Sequence, residues 1–563
     1  MDAVVPGAAV RPEADTGGEL DRSGPWRVAA GHRLTAVART VRALLAPHLG
    51  ERLLSPEEAG TAARTLELVL DTAEPAPPPP VGLSPRGTTP PGDESYRLTV
   101  TENGITCRAA TPEGVFRAAT TALQLIAVTS ARVPCGELAD APRYAWRGLM
   151  VDPARCYLTP AELRRIVDLA ALYKLNVLHL HLTDNEGWRL PPPDRTGTRA
   201  AATPPDGPAR RFYSAEDYRA LQDYAAERFV TVIPEIDLPG HCAALREAVP
   251  GLPAAPAPEG LEGRFPYVPP LDLADPATHS LVASVLTEVC RLTDGPYVHI
   301  GGDEALGMTE DSFALAVREL RALVRAAGKR PLAWQEASRA GVTPEDVAQF
   351  WVDVPMMDLP DTQEELDLRP DLLAAGYTLA VVAALKRFFA PTDHDLARVL
   401  DGGGRVLLSP QSHLYLDRRY APDIVPPEQA GTAARLGFPA YRPRDVRHTA
   451  AWDPAAYAIP EERIAGITAT VFGESIQGFD DLTTLLLPRL ASLAHTAWTG
   501  SGPDWESHRE VLARHGGLWR ERGLSYLAST EIPWPAPDLP ADLGEPGNSP
   551  RSTAGCPRPG RTA

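Results

Sequence analysis

From Arg147 onward the chain alternates, eight times, between a short apolar run of strand length and a longer stretch of helical pattern. The runs fall at residues 149–151, 176–182, 230–236, 298–300, 332–334, 349–351, 406–409 and 467–471. Eight strands separated by helices predict an α/β fold, a closed (β/α)8 TIM barrel. The intervening helices carry start signals, as at 160–173, where Thr159 stands at the N-cap and proline at the first helical position. Two stretches do not fit the count. Residues 378–385 read as a further β-like run, and 386–404 read as an insertion without a place.

With 563 residues there is length for such a barrel and one smaller domain. Ahead of the barrel, residues 33–49 look helical, 66–70 look like a strand, and 74–92, with four consecutive prolines, form an extended loop. Residues 96–100 alternate like a half-buried strand. Asn103-Gly104 then makes a turn into 105–109, and 114–127 read as a helix. The resulting division is a disordered start at 1–24, a small α+β domain at 25–140, a barrel with a C-terminal helix at 141–535, and a disordered tail at 536–563.

A formal net charge of −18 repels phosphate backbones and anionic lipid, so neither nucleic acid nor membrane is an expected partner. Six scattered cysteines without a CxxC pair indicate buried thiols rather than a zinc ribbon or a disulfide framework. Residues 1–25 hold no apolar run of signal-peptide length, which gives a cytoplasmic expectation, with export open if the true start differs. Oligomeric state is left open.

A barrel of this kind keeps its chemistry where strands end. Polar residues gather there: Asp152 and Arg155 after the first run, His179, His181, Asp184 and Trp188 around the second, Glu235, Asp237 and His241 after the third, and His299, Asp303 and Glu304 after the fourth. Neighbours on a strand point to opposite faces, so Asp303 and Glu304 can serve one site only if Gly301 and Gly302 release the backbone from strand geometry. Two adjacent carboxyls also bias each other's titration, so that one stays protonated as a general acid while the other is charged.

The segment Tyr297-Val-His-Ile-Gly-Gly-Asp-Glu304 resembles the signature of glycoside hydrolase family 20, the β-N-acetylhexosaminidases. Trp146-Arg-Gly-Leu-Met-Val-Asp152, the block from Lys174 to Asp184, Gly187-Trp-Arg189, the block from Val232 to His241 and Tyr415-Leu-Asp417 are similar to that family's other blocks, in order, over about 95–519. The resemblance implies an exo-acting hydrolase that removes a terminal N-acetylhexosamine with retention, without cofactor or metal. The substrate's own 2-acetamido oxygen attacks the anomeric carbon and forms an oxazolinium, so one protonating carboxyl suffices where other retaining glycosidases need two.

By the same resemblance Glu304 is the acid and later the base, Asp303 accepts the acetamido N–H, and Tyr415 donates to the acetamido oxygen. Trp334 and Trp351 wall the methyl group, Phe472 forms an aromatic floor, and Arg147, Asp417 and Glu474 take the sugar hydroxyls. Asp184 and His241 support the acid from behind, with His299 nearby. Three positions depart from the family pattern: Cys156 where His is usual, Phe472 where Trp is usual, and His495 where Glu is common. Competing readings are a carbohydrate-binding protein of the same fold with lost or narrow activity, a metal-dependent hydrolase built on His179, His181, His241 and His299, and a chitinase-like endo-enzyme, whose Asp-x-x-Asp-x-Asp-x-Glu run is absent.

Overall fold

The computed structural model describes residues 4–7, 11–12, 18–55, 63–71, 80–88, 92–128, 132–191, 211–253, 268–353, 359–374 and 376–535. Its centre is a closed barrel of eight parallel strands, β1 (Arg147–Val151), β2 (Val177–His181), β3 (Thr231–Glu235), β4 (Tyr297–His299), β5 (Arg330–Trp334), β6 (Val347–Phe350), β7 (Arg405–Leu408) and β8 (Ile464–Val471). Each strand pairs with its sequence neighbours, and β8 closes on β1 with Ile467 opposite Arg147 and Val471 opposite Val151. All eight expected strands are present, each near its predicted place. They are apolar and buried almost throughout because helices cover the outside and side chains fill the inside.

The barrel interior is plugged near the strand starts by a separate cluster that includes Trp146, Val177, Ile233, Tyr297 and Leu332. A second cluster, at the opposite end, gathers Trp334, Trp351, Tyr415 and Tyr441. The site therefore stands on packed side chains at the strand ends.

The helix after β1, Pro160–Leu172, begins as its sequence predicts, with Thr159 and Glu162 forming a reciprocal capping box. The small domain is a six-stranded sheet in the order Arg11–Pro12, Gly136–Asp140, Tyr96–Thr101, Gly104–Ala109, Arg64–Leu70, Trp26–Ala30. Helix Pro112–Val128 is buried along nearly its whole length, with the sheet on one side and the barrel helix Pro160–Leu172 on the other.

Several expectations need correction. The start is not uniformly disordered: Glu19–Asp21 pairs with Arg132–Pro134, and Arg11–Pro12 pairs with Gly136–Asp140. Low-complexity composition hid these short edge strands, whose partners lie more than 100 residues away. The run at 378–385 is helical, part of Leu379–Phe389. Its buried positions Val381, Val382, Leu385 and Phe389 follow helical spacing and form one face. The stretch 386–404 continues that helix, turns at Ala390–His394 and forms a second helix, Asp395–Asp401, before β7. Of the proline-rich loop, residues 80–88 and 92 are described, with Val81 bridged to Tyr144. The tail at 536–563 lies outside the described residues.

Candidate active site

The backbone leaves β4 through a run of unusual conformations, with φ of 70° at Gly301, 96° at Gly302 and 42° at Glu304. At Gly301 a Cβ would fall 1.8 Å from Asp237 Oδ1, so both space and dihedral require glycine there. The Gly302 N–H donates to the same Asp237 oxygen at 3.1 Å. This turn brings Asp303 and Glu304 to one cavity of about 340 Å³, which neighbours on a regular strand could not share.

Both carboxyls converge on one imidazole. His241 Nε2 lies 3.6 Å from Glu304 Oε2 and 3.9 Å from Asp303 Oδ2. Its Nδ1 is 3.1 Å from Asp184 Oδ1, and Asp184 is fixed in turn by His181 Nε2 at 2.8 Å and Arg155 at 2.9 Å. Burial alone would lower the His241 pKa, but Asp184 and Asp237 outweigh it and raise the ring well above its ordinary value, so a cation stands behind the acidic pair. Burial pushes Glu304 up, as a proton donor at moderate pH requires. Asp303 is also raised, by burial first and then by the Asp237 carboxylate, which burial itself lifts to about 6.

Facing this pair, Tyr415 stacks on Trp351 with ring centroids 6.0 Å apart and planes 11° from parallel. The Trp351 indole N–H donates to both oxygens of Glu336 at 3.1 Å, which fixes the ring's rotation. At the polar end Arg155 bridges Asp152 at 2.9 Å and Asp184, approaches Glu474 at 3.6 Å and covers the Phe472 ring at 5.4 Å. Burial lifts Asp417 to about 7 and raises Glu474. Oδ1 of Asp417 and Oδ1 of Asp303 are buried without a hydrogen-bond partner among the described residues. Buried polar atoms are nearly always paired, so both are available to a ligand rich in hydroxyl or amide groups.

Two expected residues are elsewhere. Arg147 begins β1, at the barrel's far end, fully buried, with its guanidinium on Glu94 at 2.5 and 3.1 Å and on the carbonyls of Tyr144 and Lys174. It joins the two domains and cannot reach a sugar; Arg155, beyond the end of the same strand, occupies the cavity. Trp334 is also fully buried and does not border the cavity: it lies beneath Phe472, centroids 6.3 Å apart, and its N–H donates to Glu235 at 2.8 Å. His299 belongs to the same layer, its Nδ1 3.1 Å from Glu235, which also has His179 and His181 nitrogens at 2.9 Å.

Three of the four histidines expected of a metal site, His179, His181 and His299, thus surround the buried Glu235 carboxylate, and the fourth, His241, stands apart between Asp184 and the Asp303–Glu304 pair. The sets His179–Glu235–His299, His181–Asp184–Asp237 and Asp237–His241–Asp303 each lie within metal-ligand reach among the described residues. Cys156 is in the main core. His495 packs edge-on against His508 at 5.8 Å, and burial lowers it to about 4, so its change is one of packing.

Glu336, Tyr377, Glu186 and Tyr441 also border the cavities, without standing among the expected residues. Glu336 follows directly on β5 and was open to the strand-end rule; Tyr377 and Tyr441 stand in long connections that carry no local signal.

Residues 144–364 and 383–501 match the model of the glycosyl hydrolase family 20 catalytic domain, and residues 15–141 match that family's domain 2. A beta-N-acetylhexosaminidase of Cellulomonas fimi is 35% identical over 460 residues, covering 80% of this chain and 83% of its own length. A beta-hexosaminidase of Akkermansia muciniphila is 29% identical over 458 residues, covering 75% and 83%. Among solved structures, a family 20 beta-N-acetylglucosaminidase superimposes with TM-score 0.72 at 29% identity, over 95% of this chain and 100% of that one. The Streptomyces plicatus N-acetyl-beta-hexosaminidase in complex with thio-NAglucal gives 0.71 at 28% identity, over 95% and 98%.

Proposed function

The chain belongs to glycosyl hydrolase family 20 and is a glycoside hydrolase, and from that premise we propose that it is an exo-acting β-N-acetylhexosaminidase working through its substrate's acetamide. Glu304 gives its proton to the glycosidic oxygen as the bond to the anomeric carbon breaks. The acetamido oxygen attacks that carbon from the opposite face and closes an oxazolinium ring. Asp303 accepts the acetamido N–H, and the positive charge developing on the ring favours its ionised form, against the burial that raises it. Tyr415 donates its hydroxyl to the acetamido oxygen and aims it, while Trp351 packs the methyl group.

In the second half, Glu304 takes a proton from water, which attacks the anomeric carbon, opens the oxazolinium and leaves the β configuration. His241, held by Asp184, keeps a positive charge beside both carboxyls through the cycle. Arg155, Asp417 and Glu474 bind the ring hydroxyls of a terminal sugar, the arrangement that supports exo action on N-acetylglucosamine or N-acetylgalactosamine.

The observation that carries this reading is the turn at 301–304, which directs two adjacent carboxyls into one cavity opposite the Tyr415–Trp351 stack. The test is hydrolysis of an alkyl N-acetyl-β-D-glucosaminide, whose departing oxygen needs a proton, by wild type and Glu304→Gln, with the first-formed anomer followed by proton NMR. Turnover by wild type alone, with β product first, is expected. Equal turnover by the variant would overturn the assignment of the acid, and no turnover by folded wild type would leave a binding protein.

A further inference from the structure

Residues 365–382 fall between the two stretches that match the family's catalytic domain, yet the described residues among them are packed over the barrel mouth. Leu366, Leu372, Val381 and Val382 share one buried cluster with Trp351 and Tyr415, so the segment is anchored on the aromatic residues of the site. Through this segment and its flanks, Leu359, Tyr377, Leu385 and Phe389 border the catalytic cavity. Phe389 meets Trp351 edge-on, centroids 6.1 Å apart, and with Glu304 it also borders an adjoining cavity of about 60 Å³.

The cavity is therefore two-sided in chemistry. Arg155, Asp417 and Glu474 offer charge to a sugar ring; the opposite wall offers one phenol, Tyr377 of the unmatched segment, and three hydrocarbon side chains, Leu359, Leu385 and Phe389 of its flanks. Position fixes which part of a substrate meets that wall. The proton donor must face the departing oxygen, and Phe389 stands beside Glu304. Tyr377 is close enough that the Glu304 charge adds to burial in raising its hydroxyl.

We propose that the 359–389 segment forms the leaving-group subsite and selects glycosides of compact apolar alcohols, aryl or short alkyl, over those whose leaving group is a second sugar. The inference rests on Glu304 being the acid. A second sugar brings several hydroxyls, and this wall can satisfy few of them; burying a hydroxyl without a partner is unfavourable. A benzyl group suffers no such loss and gains from leaving water.

The test compares kcat/KM for benzyl and methyl N-acetyl-β-D-glucosaminide, whose leaving alcohols are similar in acidity, and for chitobiose, whose more acidic leaving hydroxyl favours it, so that a preference for benzyl reports on the subsite. Wild type is expected to favour benzyl over methyl by about tenfold, the return for burying part of a ring, with chitobiose no better than methyl. In Leu385→Ser and in Tyr377→Ser the benzyl-to-methyl ratio should fall toward one. A chitobiose value equal to or above benzyl, or a ratio that survives both substitutions, would overturn the subsite. If neither variant folds, inhibition of wild type by benzyl and methyl 1-thio-N-acetyl-β-D-glucosaminide decides, tighter binding of benzyl being required. Turnover of all three glycosides alike would remove the subsite and leave the proposed function standing; turnover of none would remove both.

Discussion

The two ends of the barrel use buried charge in opposite ways. At the base, Glu94 of the small domain sits between Arg117 at 2.8 Å and Arg147 at 2.5 Å. Burial opposes its ionisation, but the two guanidinium groups prevail and hold the carboxyl down to about 2. At the mouth, Asp303, Glu304, Asp417 and Glu474 are all raised, and Asp303 and Asp417 each keep an oxygen without a partner among the described residues. A buried carboxylate held between two guanidinium groups fixes how two domains meet; buried carboxyls with spare oxygens hold protons that can be moved and atoms that can bind.

The largest effect that sharpens this contrast is expected at the mouth. Glu304→Gln should lower kcat/KM roughly 10³- to 10⁴-fold on substrates with poor leaving groups, by loss of general acid catalysis. Steady-state kinetics with a paired alkyl and 4-nitrophenyl glycoside checks it, since the activated leaving group should suffer much less. At the base, Arg147→Met should cost about 3–5 kcal/mol of stability by leaving Glu94 buried with one cation fewer. Denaturant unfolding should record that loss with KM unchanged; a raised KM at intact stability would return Arg147 to the sugar site and dissolve the contrast.

Smaller, and again at the mouth, Tyr415→Phe should reduce kcat about 10²-fold, as for loss of one donor to a developing charge, with a lesser change in KM. The smallest effect concerns pH. Asp237 is, after burial, the leading cause of the raised Asp303 pKa. Asp237→Asn keeps the acceptor for Gly302 but removes the charge, so Asp303 stays ionised to lower pH and the acid limb of the kcat/KM profile should move toward acid. The base should behave with the opposite simplicity: Glu94 is depressed, so its contribution to stability is complete above the ordinary glutamate value and is lost only as pH falls toward about 2.

Much of this was legible in the sequence because strand runs of the barrel are buried on both faces and so stay apolar whatever their neighbours. The Gly301–Glu304 turn was legible for a local reason too, since two glycines before two carboxyls allow few other uses. Arg147 was misread although the needed signal was present: it opens its strand, whereas chemistry in this fold follows the strand's end, where Arg155 stands. Trp334 was placed one layer too high because strand alternation says which way a side chain points and not how many layers lie above it. The mouth segment resisted reading for a different reason. Its helix Leu379–Phe389 is apolar enough to resemble a strand, and its task, covering the cavity, depends on partners such as Trp351 and Tyr415 that are distant in sequence.

The central claim is that the substrate's acetamide, aimed by Asp303 and Tyr415, is the nucleophile. It is tested most directly by kcat/KM for 4-nitrophenyl glucosaminides whose N-acyl group carries zero, one, two or three fluorines. Fluorine weakens the carbonyl oxygen as a nucleophile while changing size little. A steep fall along the series, with no turnover of the 2-hydroxy analogue, is the predicted result. A flat series, or ready turnover of the 2-hydroxy analogue, would mean that a protein carboxylate attacks instead, and would contradict the account.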